Sequence, residues 1–127
     1  MVKRLIAALI GALSALNGAV MLASGKDWYA RTPGVADTGP FNPHFVADVG
    51  AAYLVAGLAL VARGLRPALW PAAVAGASFF AAHALIHVAG LIGGHSRHGA
   101  FEIALIIVPA ALGLWAAFPA ADGDRHA

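Results

Sequence analysis

Four long apolar runs divide this chain, and short segments rich in Gly, Pro and charged residues separate them. About 20 apolar residues in a helix cross a hydrocarbon core of about 30 Å, and a helix satisfies its own backbone hydrogen bonds there. The pattern therefore predicts an all-α fold, an integral membrane four-helix bundle that occupies residues 1–127 as a single transmembrane domain. The predicted spans cover residues 5–24, 45–62, 68–92 and 100–118.

The longest connection, "GKDWYARTPGVADTGPFNP", joins the first two spans and contains repeated Pro and Gly. We expect a loop here, with Trp28 and Tyr29 at the level of an interfacial aromatic belt. At its end, Asn42 suits a helix N-cap and Pro43 suits the first helical position. The start of the second helix is therefore well marked.

Composition supports the membrane interpretation and excludes several kinds of site. Hydrophobic residues make up 61% of the chain and charged residues 11%, against about 45–50% and about 25% in soluble domains. Cysteine is absent, which excludes disulfides, CxxC zinc sites and CxxCH haem attachment. The formal charge of +2 comes from scattered residues, so we expect no nucleic-acid partner.

The distribution of Lys and Arg predicts the orientation. Five of these residues lie on one side of the predicted bundle and three on the other, so both termini are expected to be cytoplasmic. The five are Lys3, Arg4, Arg63, Arg66 and Arg125, and the three are Lys26, Arg31 and Arg97. A cleaved signal peptide is the competing interpretation of the N-terminus. The apolar run of residues 5–24 is longer than the usual apolar region of a signal peptide, which has about 7–15 residues. This length favours a retained span.

Ionisable residues inside the spans gather at one depth. His44 and Asp48 are one helical turn apart on one predicted helix, as are His83 and His87 on the next, and Glu102 lies one turn inside the last. Asp48, His83, His87 and Glu102 fall in the predicted outer half of the membrane, and His44 is expected at the surface above them. Ionisable groups at membrane depth are costly and usually face a bundle interior or a cavity.

Several chemistries suit this group of residues. Imidazoles and carboxylates bind Fe, Zn, Cu or Mn, and His83 and His87 with Asp48 or Glu102 match a two-histidine, one-carboxylate site. The remaining carboxylate could orient a ligand, and His44 could gate access. Haem is a weaker expectation, because two histidines four residues apart on one helix cannot be opposite axial ligands of the same iron. A metal-free polar cluster or proton relay stays open as an alternative.

The stretch "WYARTPGVADTGPFNPHFVADVGAAYLVAG", residues 28–57, resembles small bacterial four-helix membrane proteins of the DoxX-like families and their uncharacterised relatives. The resemblance implies a location in the bacterial cytoplasmic membrane and a motif that includes His44 and Asp48. Through relatives linked to quinone or oxidase chemistry, the resemblance implies a redox role without defining a reaction. Thiol-linked electron transfer is in doubt, because this chain has no cysteine.

The leading functional hypothesis is a metal-binding membrane protein, an oxidoreductase that acts on a lipid-soluble small molecule. The sequence does not decide whether it is an enzyme and identifies no catalytic residue. The alternatives are a proton- or ion-coupled carrier and an accessory subunit of a homo-oligomer or larger membrane complex. No phosphate loop, GxSxG motif or dinucleotide fingerprint is present.

Overall fold

Four helices build the bundle, as the apolar runs predict. The structure is a computed structural model that describes residues 1–119. Within that range the fold is entirely helical, and all four helices are long and apolar enough to cross a membrane. The helices are α1 (Val2–Arg31), α2 (Pro43–Leu65), α3 (Trp70–Ile92) and α4 (Gly99–Ala117), with single 3₁₀ turns at Ala36–Thr38 and Pro67–Leu69.

The bundle has two different ends. The long-loop end carries the connections 32–42 and 93–98, and the short-turn end carries the N-terminus, the turn 66–69 and Phe118. The predicted site residues belong to the long-loop end. Arg125, one of the residues counted in the orientation prediction, lies outside the described residues.

Helices α1 and α2 pack with their backbones in contact. A Cβ atom added to Gly18 would lie 2.5 Å from the Gly50 carbonyl oxygen, and one added to Gly57 would lie 2.5 Å from the Ala15 nitrogen. Gly11 is equally close to Gly57. The glycines on each helix are seven residues apart, so the same face of each helix meets its antiparallel partner along several turns.

Helix α1 bends sharply at Ser24, whose φ of −143° and ψ of 43° are not helical. The bend coincides with the predicted end of the first span, but the prediction of a loop from residue 25 is wrong, since the helix resumes and ends at Arg31. Trp28 Nε1 donates a hydrogen bond to Asn17 Oδ1 at 2.9 Å. Eleven residues of straight helix would separate these two residues by about 16.5 Å along the axis, so the bend brings the side chains together.

The start of α2 confirms the predicted cap: Asn42 accepts a hydrogen bond from the Phe45 backbone N–H at 3.1 Å, and Pro43 is the first helical residue. The end of α2 contains Arg63, one of the residues counted in the orientation prediction. The Arg63 side chain is fully buried in the bundle, and its Nε donates a hydrogen bond to the Ala117 carbonyl oxygen at 3.3 Å. At the short-turn end, a basic side chain therefore ties α2 to α4.

Helix α4 changes its winding near Pro109. A π-helical segment, Ile103–Ile107, separates the first turn, Gly99–Glu102, from the final segment, Val108–Ala117. Proline has no backbone N–H, so the carbonyl four residues before it loses its usual partner. The wider turn lets the Val108 N–H bond to the Ile103 carbonyl five residues earlier and keeps the helix continuous.

Candidate functional site

A histidine and a glutamate join α3 to α4 at the long-loop end. The Nδ1 atom of His87 lies 3.1 Å from Oε2 of Glu102. The other carboxylate oxygen, Oε1, accepts a hydrogen bond from the Ser96 hydroxyl at 2.6 Å. The side chains of His87 and Glu102 are 28% and 14% exposed, so both groups are partly buried.

The short loop between α3 and α4 sets this geometry. Gly94 has a φ of +69°, a left-handed conformation that glycine adopts without strain, and it turns the chain directly after α3. The backbone N–H of His98 then donates to the Ser96 hydroxyl at 3.3 Å. The backbone N–H of Glu102 donates to the His98 carbonyl at 3.0 Å, which starts α4. Loop and helix start together hold the carboxylate beside α3.

The hydrogen bonds define the chemistry of His87. An ionised carboxylate only accepts hydrogen bonds; Oε1 of Glu102 accepts one from Ser96, and Oε2 faces Nδ1 of His87. With Glu102 ionised, this contact assigns a proton to Nδ1 of His87, and in the neutral ring Nε2 is then the nitrogen with a free lone pair. A carboxylate in this position also stabilises the imidazolium that forms when Nε2 takes a proton.

His83 continues the group by one helical turn. Its ring centroid lies 4.8 Å from that of His87. Aromatic rings pack on its other sides, with Tyr53 edge-on at 5.7 Å and Phe79 stacked at 6.3 Å. His83 is therefore the end of the polar group that lies farthest from the loops, and it is set in an aromatic environment.

His44 and Asp48 form a separate pair at the start of α2. His44 Nε2 lies 3.7 Å from Asp48 Oδ2, and the side chains are 88% and 65% exposed. The structure thus connects three of the five predicted site residues, His83, His87 and Glu102. The two residues of α2 contact each other instead.

The three connected residues do not provide a ready metal site. Within residues 1–119, no three His, Asp or Glu side chains are arranged so that they could hold a metal ion together. Glu102 occupies the position of an orienting partner, because its oxygens are taken by His87 and Ser96. Binding of Fe, Zn, Cu or Mn stays a prediction.

Two contacts at this end were not predicted from the sequence. Ser96 bonds directly to the site carboxylate, and His98 Nε2 lies 3.7 Å from Asp37 Oδ2 in the long connection. Ser96 lies in a loop, where helical spacing carries no information about contacts. The only indication in the sequence is that a hydroxyl-bearing residue stands six positions before a carboxylate, which needs a hydrogen-bond donor.

No family model, curated protein or solved structure matches this chain. The resemblance of residues 28–57 to the DoxX-like families therefore stays an expectation, and the functional argument rests on the geometry.

Proposed function

We propose that this chain is an integral membrane protein that exchanges protons at His87 in the outer half of the bilayer. Its substrate is a lipid-soluble small molecule that gives up or takes a proton at His87, or an ion whose movement is coupled to that proton, as in a proton-coupled carrier. The bundle would lie in the bacterial cytoplasmic membrane with both termini on the cytoplasmic side. Among the described residues, four Lys and Arg lie at the short-turn end and three at the long-loop end, which favours this orientation: Lys3, Arg4, Arg63 and Arg66 against Lys26, Arg31 and Arg97.

One observation carries the proposal: the bond between His87 Nδ1 and Glu102 Oε2, with the second carboxylate oxygen held by Ser96. A carboxylate at this position keeps Nε2 of His87 available as a proton acceptor and stabilises the charged ring. Ionisable groups inside membrane helices are costly, and their usual use is in ion pathways and proton relays.

The surroundings of His83 favour local exchange over conduction through the whole membrane. Beyond His83 the neighbouring rings are Tyr53, Phe79 and Phe80, which pack against one another. Protons are therefore expected to enter from the long-loop end, reach His87 and His83, and return to the same side or pass to a bound substrate.

A rapid external pH step on vesicles fused to a solid-supported membrane tests this proposal. Protons that move part of the way into the bilayer displace charge, so the wild type should give a brief current transient without a sustained current. His87→Ala and Glu102→Ala should abolish the transient. His44→Ala, which removes an imidazole from the exposed α2 pair, should keep it.

Two outcomes contradict the proposal. A wild type without a transient, in vesicles shown to contain folded protein, means that no proton enters the site. A sustained current means that the protein conducts protons across the bilayer, which the aromatic packing around His83 argues against.

A second candidate, a metal-dependent oxidoreductase, is favoured by the 4.8 Å separation of the His83 and His87 rings on one helical face. Elemental analysis of purified protein distinguishes it. Iron, zinc, copper or manganese in near-equal amount to protein, lost in His83→Ala and kept in His44→Ala, would move the assignment to a metal protein. An absorption spectrum of the same sample tests for haem.

A further inference from the structure

An open cavity of about 550 Å³ lies along α1 on both sides of its bend at Ser24 and reaches Phe101 of α4. Apolar side chains line it from both helices, with Val20 and Trp28 on α1 and Phe101 on α4. The Trp28 ring is fixed in the wall by its bond to Asn17, which also lines the cavity. Pockets of about 300–1,000 Å³ with mostly apolar walls and a few polar groups are typical ligand sites.

Two opposite charges lie at this cavity. Asp27 and Arg31 both line it and are one helical turn apart, so their Cβ atoms are separated by about 6 Å. Neither forms an ion pair with another residue in the part of the chain that the structure describes. Both charges are therefore available to a ligand that carries a cation and an anion at a similar spacing.

We propose that this cavity binds the headgroup of a phospholipid with a phosphoethanolamine head. The Arg31 guanidinium binds the phosphate, and the Asp27 carboxylate accepts hydrogen bonds from the primary ammonium. The first part of an acyl chain packs against Val20 and Phe101. The volume is sufficient for the head and the start of one chain, and the remaining hydrocarbon lies in the bilayer.

The charges predict a preference among phospholipids. A primary ammonium donates three hydrogen bonds, whereas the trimethylammonium of phosphatidylcholine donates none. Phosphatidylglycerol carries the phosphate without a cation and leaves Asp27 beside a net negative ligand. The preferred lipid is therefore phosphatidylethanolamine, and this binding is independent of proton exchange at His87.

Native mass spectrometry of the full chain tests the proposal, with phosphatidylethanolamine, phosphatidylcholine and phosphatidylglycerol added in equal amounts. The wild type should retain one phosphatidylethanolamine, favoured over phosphatidylcholine by about tenfold, the ratio that one charge-assisted hydrogen bond supplies. Asp27→Asn should bring this ratio close to one. Arg31→Gln should reduce retention of all three lipids, since each presents a phosphate.

Lys26→Gln is the matched control, because Lys26 belongs to the same exposed segment of α1 but does not line the cavity. It should leave the lipid ratio unchanged, and a fold check by thermal unfolding should show all variants intact. Equal retention of phosphatidylethanolamine and phosphatidylcholine by the wild type overturns the role of Asp27. Preference for phosphatidylglycerol shows an anion site only, and the absence of retained lipid overturns the proposal as a whole.

Discussion

The α1–α2 interface and the α3–α4 interface hold one bundle together by opposite means. Between α1 and α2, glycines bring the backbones so close that an added Cβ would meet backbone atoms at 2.5 Å. Between α3 and α4, at the long-loop end, side chains fill the space and a His–Glu pair spans it. The His87–Glu102 pair, the centre of the proposed function, therefore belongs to the interface that side chains make.

The largest expected effect comes from filling the close interface. Gly57→Ala places a methyl group 2.5 Å from the Ala15 nitrogen and 2.6 Å from the Gly11 oxygen. Backbone cannot move aside as a side chain does, so we expect a loss of about 3 kcal/mol in the free energy of unfolding, at the upper end of overpacking effects. Unfolding by SDS titration in mixed micelles measures it.

Gly90→Ala is the matched control on α3, since an added Cβ there meets nothing within 4 Å. Alanine favours helix over glycine by about 0.5–1 kcal/mol, so this variant should be as stable as the wild type or slightly more stable. If Gly57→Ala and Gly90→Ala behave alike, the close approach of α1 and α2 is not real.

The second-largest expected effect is a difference in stability between variants of the two carboxylates of the predicted site. Glu102→Ala leaves the Nδ1 proton of His87 and the hydroxyl of Ser96 without an acceptor, which should cost about 2 kcal/mol of unfolding free energy. Asp48→Ala removes an exposed partner of His44 at 3.7 Å and should change stability by about 0.5 kcal/mol or less. The same SDS titration applies. Equal losses in both variants would remove the distinction between the two pairs.

The smallest effect concerns Ser96. Ser96→Ala removes one of the two hydrogen bonds to Glu102 and should lower the free energy of unfolding by about 1 kcal/mol, while the His87 bond persists. Ser78→Ala is its control, since Ser78 is exposed and bonds only to the Val74 carbonyl on its own helix. A Ser96→Ala variant as stable as Ser78→Ala would show that the loop does not hold the carboxylate.

Much of this architecture follows from the sequence. Apolar length predicts four helices, and the Asn42–Pro43 signal predicts where α2 begins. The shared depth of His87 and Glu102 follows from counting residues inward from the loop between them. These features depend on position along a helix axis, which the sequence spacing defines.

Which residues of different helices meet depends on the rotation of each helix about its own axis. The spacing of residues along the sequence does not give that rotation. Tyr53 marks the face of α2 that meets α3, because its ring contacts His83. Asp48 lies five residues earlier, so it is rotated by about 140° from that face. The glycines that pack on α1 set this rotation and leave Asp48 and His44 exposed. The bend at Ser24 coincides with a Ser–Gly pair and with the predicted end of the first span, but residue spacing does not show that the helix resumes after it.

The most direct test of the His87–Glu102 centre is the proton position on His87, measured by ¹⁵N NMR of histidine-labelled protein in nanodiscs above neutral pH. We predict that neutral His87 carries its proton on Nδ1 in the wild type and loses this preference in Glu102→Ala. Asp48→Ala should leave the His87 signal unchanged. A wild-type His87 that carries its proton on Nε2, or one unaffected by Glu102→Ala, would contradict the claim that Glu102 prepares this ring to accept a proton.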